Sequence, residues 1–349
     1  MTDYLLFDAL PLFISAVIFA LLMTPLMKRL SKRLGFLDLP GDRKVHLEPM
    51  PLLGGVALFV SFISCLMAHL PPSSTLLGVL LGSLIIVSVG VLDDKWTLSP
   101  FVKLSGQVAA AIVTVYFGIQ IQFVSNPIEG GFIYLGLFSH VISVLWLVGM
   151  MTIFNLIDGL DGLSAGVAAI SAIFLAIFAL MTGQLMAASM AIALCGVCLG
   201  FLRYNFYPAS IFMGDSGALF LGYILGVISI VGVLKSTAIV SLGVPLIVFG
   251  LPLSDTILAI YRRIRNKKAI YLPDREHIHH KLLQKGLSHR QSTLVLYVLS
   301  LVFGFLAFMI SELAPILTLG FILGGILLFW AMNKRTKRTL KRFFSPFFS

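Results

Sequence analysis

Three polar side chains that suit metal or phosphate chemistry lie within eight residues of this sequence, in the segment NLIDGLDG at 155–162. They are Asn155, Asp158 and Asp161, and the flanking stretches 139–154 and 163–202 contain no Asp, Glu, Lys or Arg. A charge in hydrocarbon costs about 2.5–3.5 kcal/mol even on the mildest scale. We therefore expect these acids to lie in water at a membrane face and to take part in chemistry.

The backbone conformation of this segment is open at the level of sequence. Its two Asp-Gly pairs favour a turn that interrupts the helix. In a continuous helix the Asn and the two aspartates would instead lie within about 120° of one another, at about 100° per residue. Either geometry brings the three side chains together, so the sequence predicts one polar site.

Further aspartates follow the same pattern at the ends of apolar segments. Asp93 and Asp94 end the stretch 75–92, and adjacent acids at a helix C-terminus oppose the helix dipole, which favours a metal or phosphate role over a solvated turn. Asp215, in IFMGDSG, suits an N-cap or a metal ligand. With the two aspartates of 155–162, these carboxylates would repel one another without a cation. Hard oxygen ligands favour Mg²⁺ or, alternatively, Mn²⁺.

Basic side chains lie in the neighbouring loops and suit phosphate oxygens. A histidine cluster often indicates zinc, but this one has no cysteine beside it, so phosphate contact is the better interpretation. Asp255, in LPLSDT, fits a buried hydrogen bond and a site role equally well. An acidic metal site ringed by cations predicts phosphoryl transfer. The basic candidates are Lys44, His46, Lys103, Arg275, His277, His279 and His280.

The composition predicts an all-α, polytopic membrane protein with a single integral domain, 1–349. Of the 349 residues 58% are hydrophobic and only 11% are charged, against about 25% charged in soluble domains. Mean hydropathy is +1.01. Apolar segments near the length of a membrane helix predict about eleven spans. They are 5–27, 51–70, 75–92, 101–119, 136–155, 162–182, 185–203, 217–234, 237–261, 292–311 and 314–332.

The distribution of positive charge predicts the orientation of these spans. If the N-terminus is outside and the C-terminus cytoplasmic, every Lys and Arg except Lys235 falls in or beside a cytoplasmic segment. This pattern assigns the net charge of +10 to membrane topology and excludes nucleic acid as a partner. The polar motifs then share the cytoplasmic face. The predicted cytoplasmic segments are 28–50, 93–103, 156–162, 204–216, 262–291 and a basic tail, 333–349, that suits anionic lipid.

Four motifs, in this order, resemble the polyprenyl-phosphate N-acetylhexosamine-1-phosphate transferase family. They are DD at 93–94, NLIDGLDG at 155–162, FMGDSG at 212–217 and HIHH at 277–280. The segments RKVHLEPMPLLGG and DREHIHHKLLQKGLSHRQ are most similar to those of the undecaprenyl-phosphate GlcNAc-1-phosphate transferases within that family. The muramoyl-pentapeptide branch has similar aspartates but a differently arranged run of histidines, which Ile278 interrupts here.

The resemblance implies transfer of GlcNAc 1-phosphate from UDP-GlcNAc to undecaprenyl phosphate, with release of UMP, as the first membrane step of a cell-envelope glycan pathway. Carried over by motif, the aspartates at 93, 94, 158 and 161 would be catalytic, and Asp215 with Asn155 would hold Mg²⁺. Phe212 would stack on uracil, and the basic candidates would bind substrate. The implied location is the bacterial inner membrane, with the active site on the cytoplasmic face.

Several alternatives stay open at this stage. The same reaction with another UDP-N-acetylhexosamine or with UDP-MurNAc-pentapeptide fits the motifs. A protein of another class, an ion-coupled transporter, also combines membrane helices with acids, although transporters place such groups near the midplane. The sequence leaves open the polyprenol length, the downstream polymer, which aspartate acts as a base and the oligomeric state, including a homodimer.

Overall fold

The computed structural model describes residues 8–39, 48–125, 132–232, 243–265 and 277–311. In these ranges the chain is mostly helical, as its composition predicts. The helices are α1 Leu10–Leu34, α2 Gly54–His69, α3 Ser74–Trp96, α4 Pro100–Tyr116, α5 Phe138–Ile157, α6 Leu163–Met181, α7 Leu185–Asn205, α8 Gly214–Gly232, α9 Gly243–Val248, α10 Gly250–Arg265, α11 Ile278–Gln284 and α12 His289–Ser311.

Within the described ranges, seven helices are long and apolar enough to cross a membrane: α1, α3, α5, α6, α7, α8 and α12. The predicted spans 51–70 and 101–119 correspond to the shorter apolar helices α2 and α4. The predicted span 314–332 lies outside the described residues. A polytopic helical membrane protein is therefore confirmed.

The ninth predicted span, 237–261, differs from a single helix. Over the part that the structure describes, it consists of α9 and α10, which are interrupted at Phe249. Pro252 lacks the N–H group that would donate to the Val248 carbonyl, so that helical hydrogen bond is missing. Bonds of helical spacing are kept beside it, since Phe249 N donates to Pro245 O and Leu253 N donates to Phe249 O, both at 2.9 Å. The second helix then ends in three arginines, Arg262, Arg263 and Arg265, rather than in apolar residues.

Two short antiparallel sheets add to the helices, so the prediction of an all-α fold was incomplete. β1, Leu37–Asp38, pairs with β2, Met50–Pro51, and β3, Phe123–Ser125, pairs with β4, Phe132–Tyr134. Each sheet joins consecutive helices, where the chain has left helical geometry and its backbone groups need other partners. β2 also accepts a hydrogen bond from Phe212 N at Pro51 O, 2.8 Å, which ties this hairpin to the segment before α8.

Helix α8 forms the centre of the bundle, and every residue from Ser216 to Gly232 is buried. Its neighbours approach it through glycines. A Cβ atom at Gly55 or Gly90 would overlap the start of α8 at Ser216 or Gly217. Small residues at such contacts let helix backbones approach closely in membranes. The N-terminus of α8 is consequently held in a fixed position by α2 and α3, and the polar motifs meet there.

Candidate active site

The carboxylate of Asp94, at the end of α3, caps the N-terminus of α8. Its Oδ1 accepts from Asp215 N at 2.7 Å, and its Oδ2 accepts from Ser216 N at 3.3 Å and from Ser216 Oγ at 2.9 Å. Gly214 has φ +67°, and a Cβ atom there would overlap the Asp94 carboxylate. The first N–H groups of a helix favour an anion, so α8 compensates for the unfavourable end of α3.

Lys103, in the first turn of α4, joins two of the predicted aspartates. Its Nζ lies 2.8 Å from Asp93 Oδ2 and 2.7 Å from Asp215 Oδ2. Asn155 Nδ2 donates to the other oxygen of Asp215, Oδ1, at 2.6 Å. Four residues that the sequence assigned to catalysis, metal binding or substrate binding therefore form one connected group. In this arrangement Asn155 orients the Asp215 carboxylate.

The segment 155–162 contains the turn that its Asp-Gly pairs favour. Helix α5 ends at Ile157, α6 begins at Leu163, and Gly162 has φ +74°. Residues 158–162, here called the acidic turn, are held from both sides. Asp161 Oδ2 accepts from Ala209 N at 3.0 Å, and Tyr297 of α12 donates to Gly162 O at 2.5 Å. Hydrogen bonds to Ala209 and Tyr297 therefore hold the acidic turn in place between α5 and α6.

The acidic turn and the start of α8 line one cavity of about 370 Å³. Asp158 stands at its wall, and burial together with the negative charges of Asp215, Asp94 and Asp161 raises the pKa of Asp158 well above its usual range. Carboxylates this close need a cation to stay ionised together. The lining residues are Asp38, Leu52, Asp94, Asp158, Gly159, Leu160, Asp161, Asn205, Phe212, Met213, Gly214 and Asp215.

The donor set of this cavity fits a hard divalent cation that shares its coordination shell with substrate. The described residues contain no group of three His, Cys, Asp or Glu side chains arranged to hold a metal by themselves. Mg²⁺ typically takes one or two carboxylates and completes its shell with water and substrate phosphates. Asp215, with an exposed side-chain fraction of 37%, and Asp158 offer such oxygens, whereas the oxygens of Asp94 already accept three hydrogen bonds.

His277, the N-cap of α11, and His279, in its first turn, are not part of the cavity lining, and His279 packs against the acidic turn. His277 Nδ1 lies 2.9 Å from Asp255 Oδ2, and the two residues are 5% and 4% exposed. A Cβ atom at Gly159 would overlap the ring of His279, whose pKa burial and the neighbouring His280 lower to about 4. His279 is therefore neutral near pH 7. The predicted substrate-binding residues Lys44, His46 and Arg275 lie outside the described residues.

Asn205 and Asp38 line the cavity but were missed by the sequence analysis. Asn205 is 3% exposed, and its Nδ2 donates to Ile211 O at 2.9 Å. Among the described residues its Oδ1 has no hydrogen-bond partner. A buried acceptor without a partner is costly, so it favours a ligand that donates an N–H or O–H group. The only signal for Asn205 in the sequence is that its amide lies two residues after the apolar segment 185–203.

The chain is similar to one known protein family and to several named transferases. Residues 76–233 match the family described as glycosyl transferase family 4, a range that includes Lys103 and the aspartates at 93, 94, 158, 161 and 215. The chain is 39% identical to a probable undecaprenyl-phosphate N-acetylglucosaminyl 1-phosphate transferase of Bacillus subtilis, over 96% of this chain and 94% of that protein. It is 34% identical to a decaprenyl-phosphate N-acetylglucosaminephosphotransferase of Mycobacterium tuberculosis, over 82% and 78%. It is 27% identical to an undecaprenyl-phosphate alpha-N-acetylglucosaminyl 1-phosphate transferase of Escherichia coli K12, over 80% and 77%.

Proposed function

Because the chain belongs to glycosyl transferase family 4, we propose that it transfers GlcNAc 1-phosphate from UDP-GlcNAc to undecaprenyl phosphate, releasing UMP. The observation that carries this proposal is the similarity to the Bacillus subtilis transferase over 96% of the chain. The connected acidic site supplies the chemistry that such a transfer needs. The relatives' names give no support to the transporter alternative.

The charges of the site suit a reaction between two phosphates. Lys103 places an ammonium beside Asp93 and Asp215, where it can also attract phosphate oxygens. Mg²⁺, held by Asp215 and assisted by Asp158, would neutralise charge on the donor diphosphate. Asp94 fixes the start of α8 and Asn155 orients Asp215, so both act on the position of the reacting groups. Positioning and neutralisation account for most of the catalysis in phosphoryl transfer.

The reaction does not depend strongly on a general base. The second pKa of a phosphate monoester is about 6, so the lipid phosphate is mostly dianionic near pH 7. Asp93 is already engaged, because its Oδ1 accepts from Leu98 N at 2.7 Å and its Oδ2 contacts Lys103. We infer that Asp93 acts through Lys103 and that proton removal contributes little to the rate.

The cavity offers recognition groups for the nucleotide sugar. Its volume of about 370 Å³ is within the usual range of ligand pockets, about 300–1,000 Å³. Phe212 supplies an aromatic face for uracil, and the Oδ1 of Asn205, which has no partner among the residues that the structure describes, would accept a hydrogen bond from the nucleotide sugar. These contacts would hold UDP-GlcNAc with its diphosphate toward the acidic turn.

We further propose that this site faces the cytoplasm at the inner membrane of a bacterium, in a bundle of eleven spans. The site is built at the C-terminal ends of α3 and α5 and at the N-terminal ends of α4 and α8, which all meet at one end of the bundle. Lys95 and the exposed Trp96 lie at that end, a pairing typical of the membrane interface. The positive-inside rule then assigns that end to the cytoplasm.

The decisive experiment is UMP release by purified protein in detergent with undecaprenyl phosphate, comparing UDP-GlcNAc, UDP-GalNAc and UDP-MurNAc-pentapeptide. We expect lipid-dependent release from UDP-GlcNAc with Mg²⁺ or Mn²⁺ and none with a chelator. Asp215→Asn should abolish UMP release. Asp8→Asn should not, because Asp8 lies just before the N-terminus of α1, outside the site. Lipid-dependent release from a different donor would replace the proposed sugar, and release from none would refute the transfer.

Reversibility provides a second test. One phosphoanhydride bond is broken and one is formed, so the step is expected to be nearly isoenergetic. Added UMP should therefore regenerate UDP-GlcNAc from the lipid product. If it cannot do so under conditions that support the forward reaction, the simple exchange is wrong.

A further inference from the structure

Asp255 binds the start of helix α11 with both of its carboxylate oxygens. Oδ2 lies 2.9 Å from His277 Nδ1, and Oδ1 accepts from Ile278 N, also at 2.9 Å. An ionised carboxylate only accepts hydrogen bonds, so the Nδ1 of His277 carries the proton that is shared with Asp255. One buried side chain of α10 therefore sets both the ring orientation of His277 and the first backbone N–H of α11.

A continuous series of contacts leads from this pair to the acidic turn. The ring of His277 lies parallel to that of His279, with centroids 5.7 Å apart and planes at 4°. His279 is 3% exposed, and a Cβ atom at Gly159 would overlap its Nε2 and Cε1 atoms. Gly159 follows Asp158 directly, so a displacement of α11 would be transmitted to a carboxylate of the cavity wall.

We propose that Asp255 and His277 are positioning residues, which hold α11 so that His279 supports the acidic turn. This inference rests on the proposed transfer reaction, and it revises the prediction that His277 binds substrate. His277 is 5% exposed and its Nδ1 is engaged by Asp255. Neither His277 nor His279 belongs to the lining of the described cavity. Their contribution reaches the substrate through the backbone at Gly159.

Replacement of either partner tests this role. His277→Ala and Asp255→Ala should each lower kcat by about 10- to 100-fold, the usual effect of losing an outer-shell partner. The KM for UDP-GlcNAc should change by less than about three-fold, because no substrate contact is removed. The double variant should lose no more activity than Asp255→Ala alone, since that change already removes the contact with His277 as well as the one with Ile278 N. Ser254→Ala is the matched control, because within the described ranges its hydroxyl bonds only to Leu251 O of the same helix.

A conservative variant separates positioning from substrate contact. The amide nitrogen of His277→Asn can take the place of Nδ1 and donate to Asp255, so we expect kcat to recover to within about five-fold of wild type. Direct substrate binding by the imidazole predicts instead that His277→Asn is as inactive as His277→Ala, that KM rises, and that losses at residues 255 and 277 multiply. That set of results would overturn the proposal.

Gly159→Ala tests the far end of the series without altering the Asp255 contact. The new methyl group would displace the ring of His279, so kcat should fall as in His277→Ala. Full activity in Gly159→Ala would show that the contact between His279 and Gly159 does not transmit the position of α11 to the acidic turn.

Thermal unfolding keeps this inference distinct from the proposed function. If wild type releases no UMP from any donor, the transfer reaction is refuted, and the pair is then judged by melting temperature in detergent. If Asp255 and His277 act through their shared contact, the double variant should melt at no lower temperature than the less stable of the two single variants. Additive losses of melting temperature would refute the pair itself.

Discussion

Replacing Lys103 by methionine should destabilise the protein and make its stability depend on divalent cations. The ammonium lies 2.8 Å from Asp93 Oδ2 and 2.7 Å from Asp215 Oδ2, so those oxygens are at most about 5.5 Å apart. Two unit charges at that distance repel by about 3 kcal/mol at an effective dielectric constant of 20. Methionine preserves the apolar stem of lysine and removes only the charge that offsets this repulsion.

Partial exposure reduces the expected loss. The Asp215 side chain is 37% exposed and that of Lys103 is 18% exposed, so solvent screens part of the interaction. We therefore expect a loss of about 2 kcal/mol, which corresponds to a melting temperature lower by about 3 °C in a chain of this length. Millimolar Mg²⁺ should restore more than half of that loss, since a divalent cation can neutralise the freed carboxylates.

The assay is thermal unfolding in detergent, with Mg²⁺ and with a chelator. Lys95→Met is the matched control, because Lys95 lies at the same end of the bundle and packs over the rings of Phe36 and Trp96 instead of between carboxylates. The control should respond to Mg²⁺ as wild type does. An equal Mg²⁺ shift in wild type and Lys103→Met would refute the electrostatic reasoning, as would an unchanged melting temperature in the chelator.

Three other predictions follow from the site. Asn205→Ala should raise the KM for UDP-GlcNAc about ten-fold with kcat nearly unchanged, because the variant lacks the buried oxygen that accepts a hydrogen bond from UDP-GlcNAc. Initial rates of UMP release measure both constants. Gly214→Ala should lose at least about 1–2 kcal/mol of stability, since φ is +67° and the methyl group would displace the carboxylate that caps α8. A methyl group at Gly149 in α5 would lie within 4 Å of no other described residue, so Gly149→Ala should not destabilise, and melting temperatures compare the two variants. Asp161→Asn retains an acceptor for Ala209 N, so the melting temperature should stay within about 2 °C while kcat/KM falls at least ten-fold; equal activity would exclude a role for its charge.

The membrane class followed from the sequence, and so did the turn on which two of the site's aspartates lie. Charged residues are expensive in hydrocarbon, so the uncharged stretches on either side of Asn155, Asp158 and Asp161 predict that these side chains lie at a membrane face. The two Asp-Gly pairs were enough to favour the turn that separates α5 from α6. Both are local properties, which depend on residue type and spacing within a few turns of chain.

Some features of the fold depended on details that hydropathy does not contain. The described part of the ninth predicted span is divided into α9 and α10 close to Pro252, which lacks one N–H group, although the surrounding residues are apolar enough for one helix. The two short sheets arise where backbone groups between helices pair with each other, and their strands have only two or three residues. A sequence pattern that short does not distinguish a strand from a loop.

The partners of the site residues were decided only by the tertiary structure. Adjacent acids at the end of α3 looked unfavourable in isolation, yet Asp94 is stabilised by the N-terminus of a helix 121 residues further along the chain. Lys103 was expected to bind substrate phosphate, and in the folded chain it also neutralises two aspartates. His277 was assigned to substrate because of its residue type, but Asp255 of the preceding helix holds it. Residue type and spacing determine which groups reach one end of the bundle, whereas helix packing decides which of them pair with each other and which remain available to a ligand.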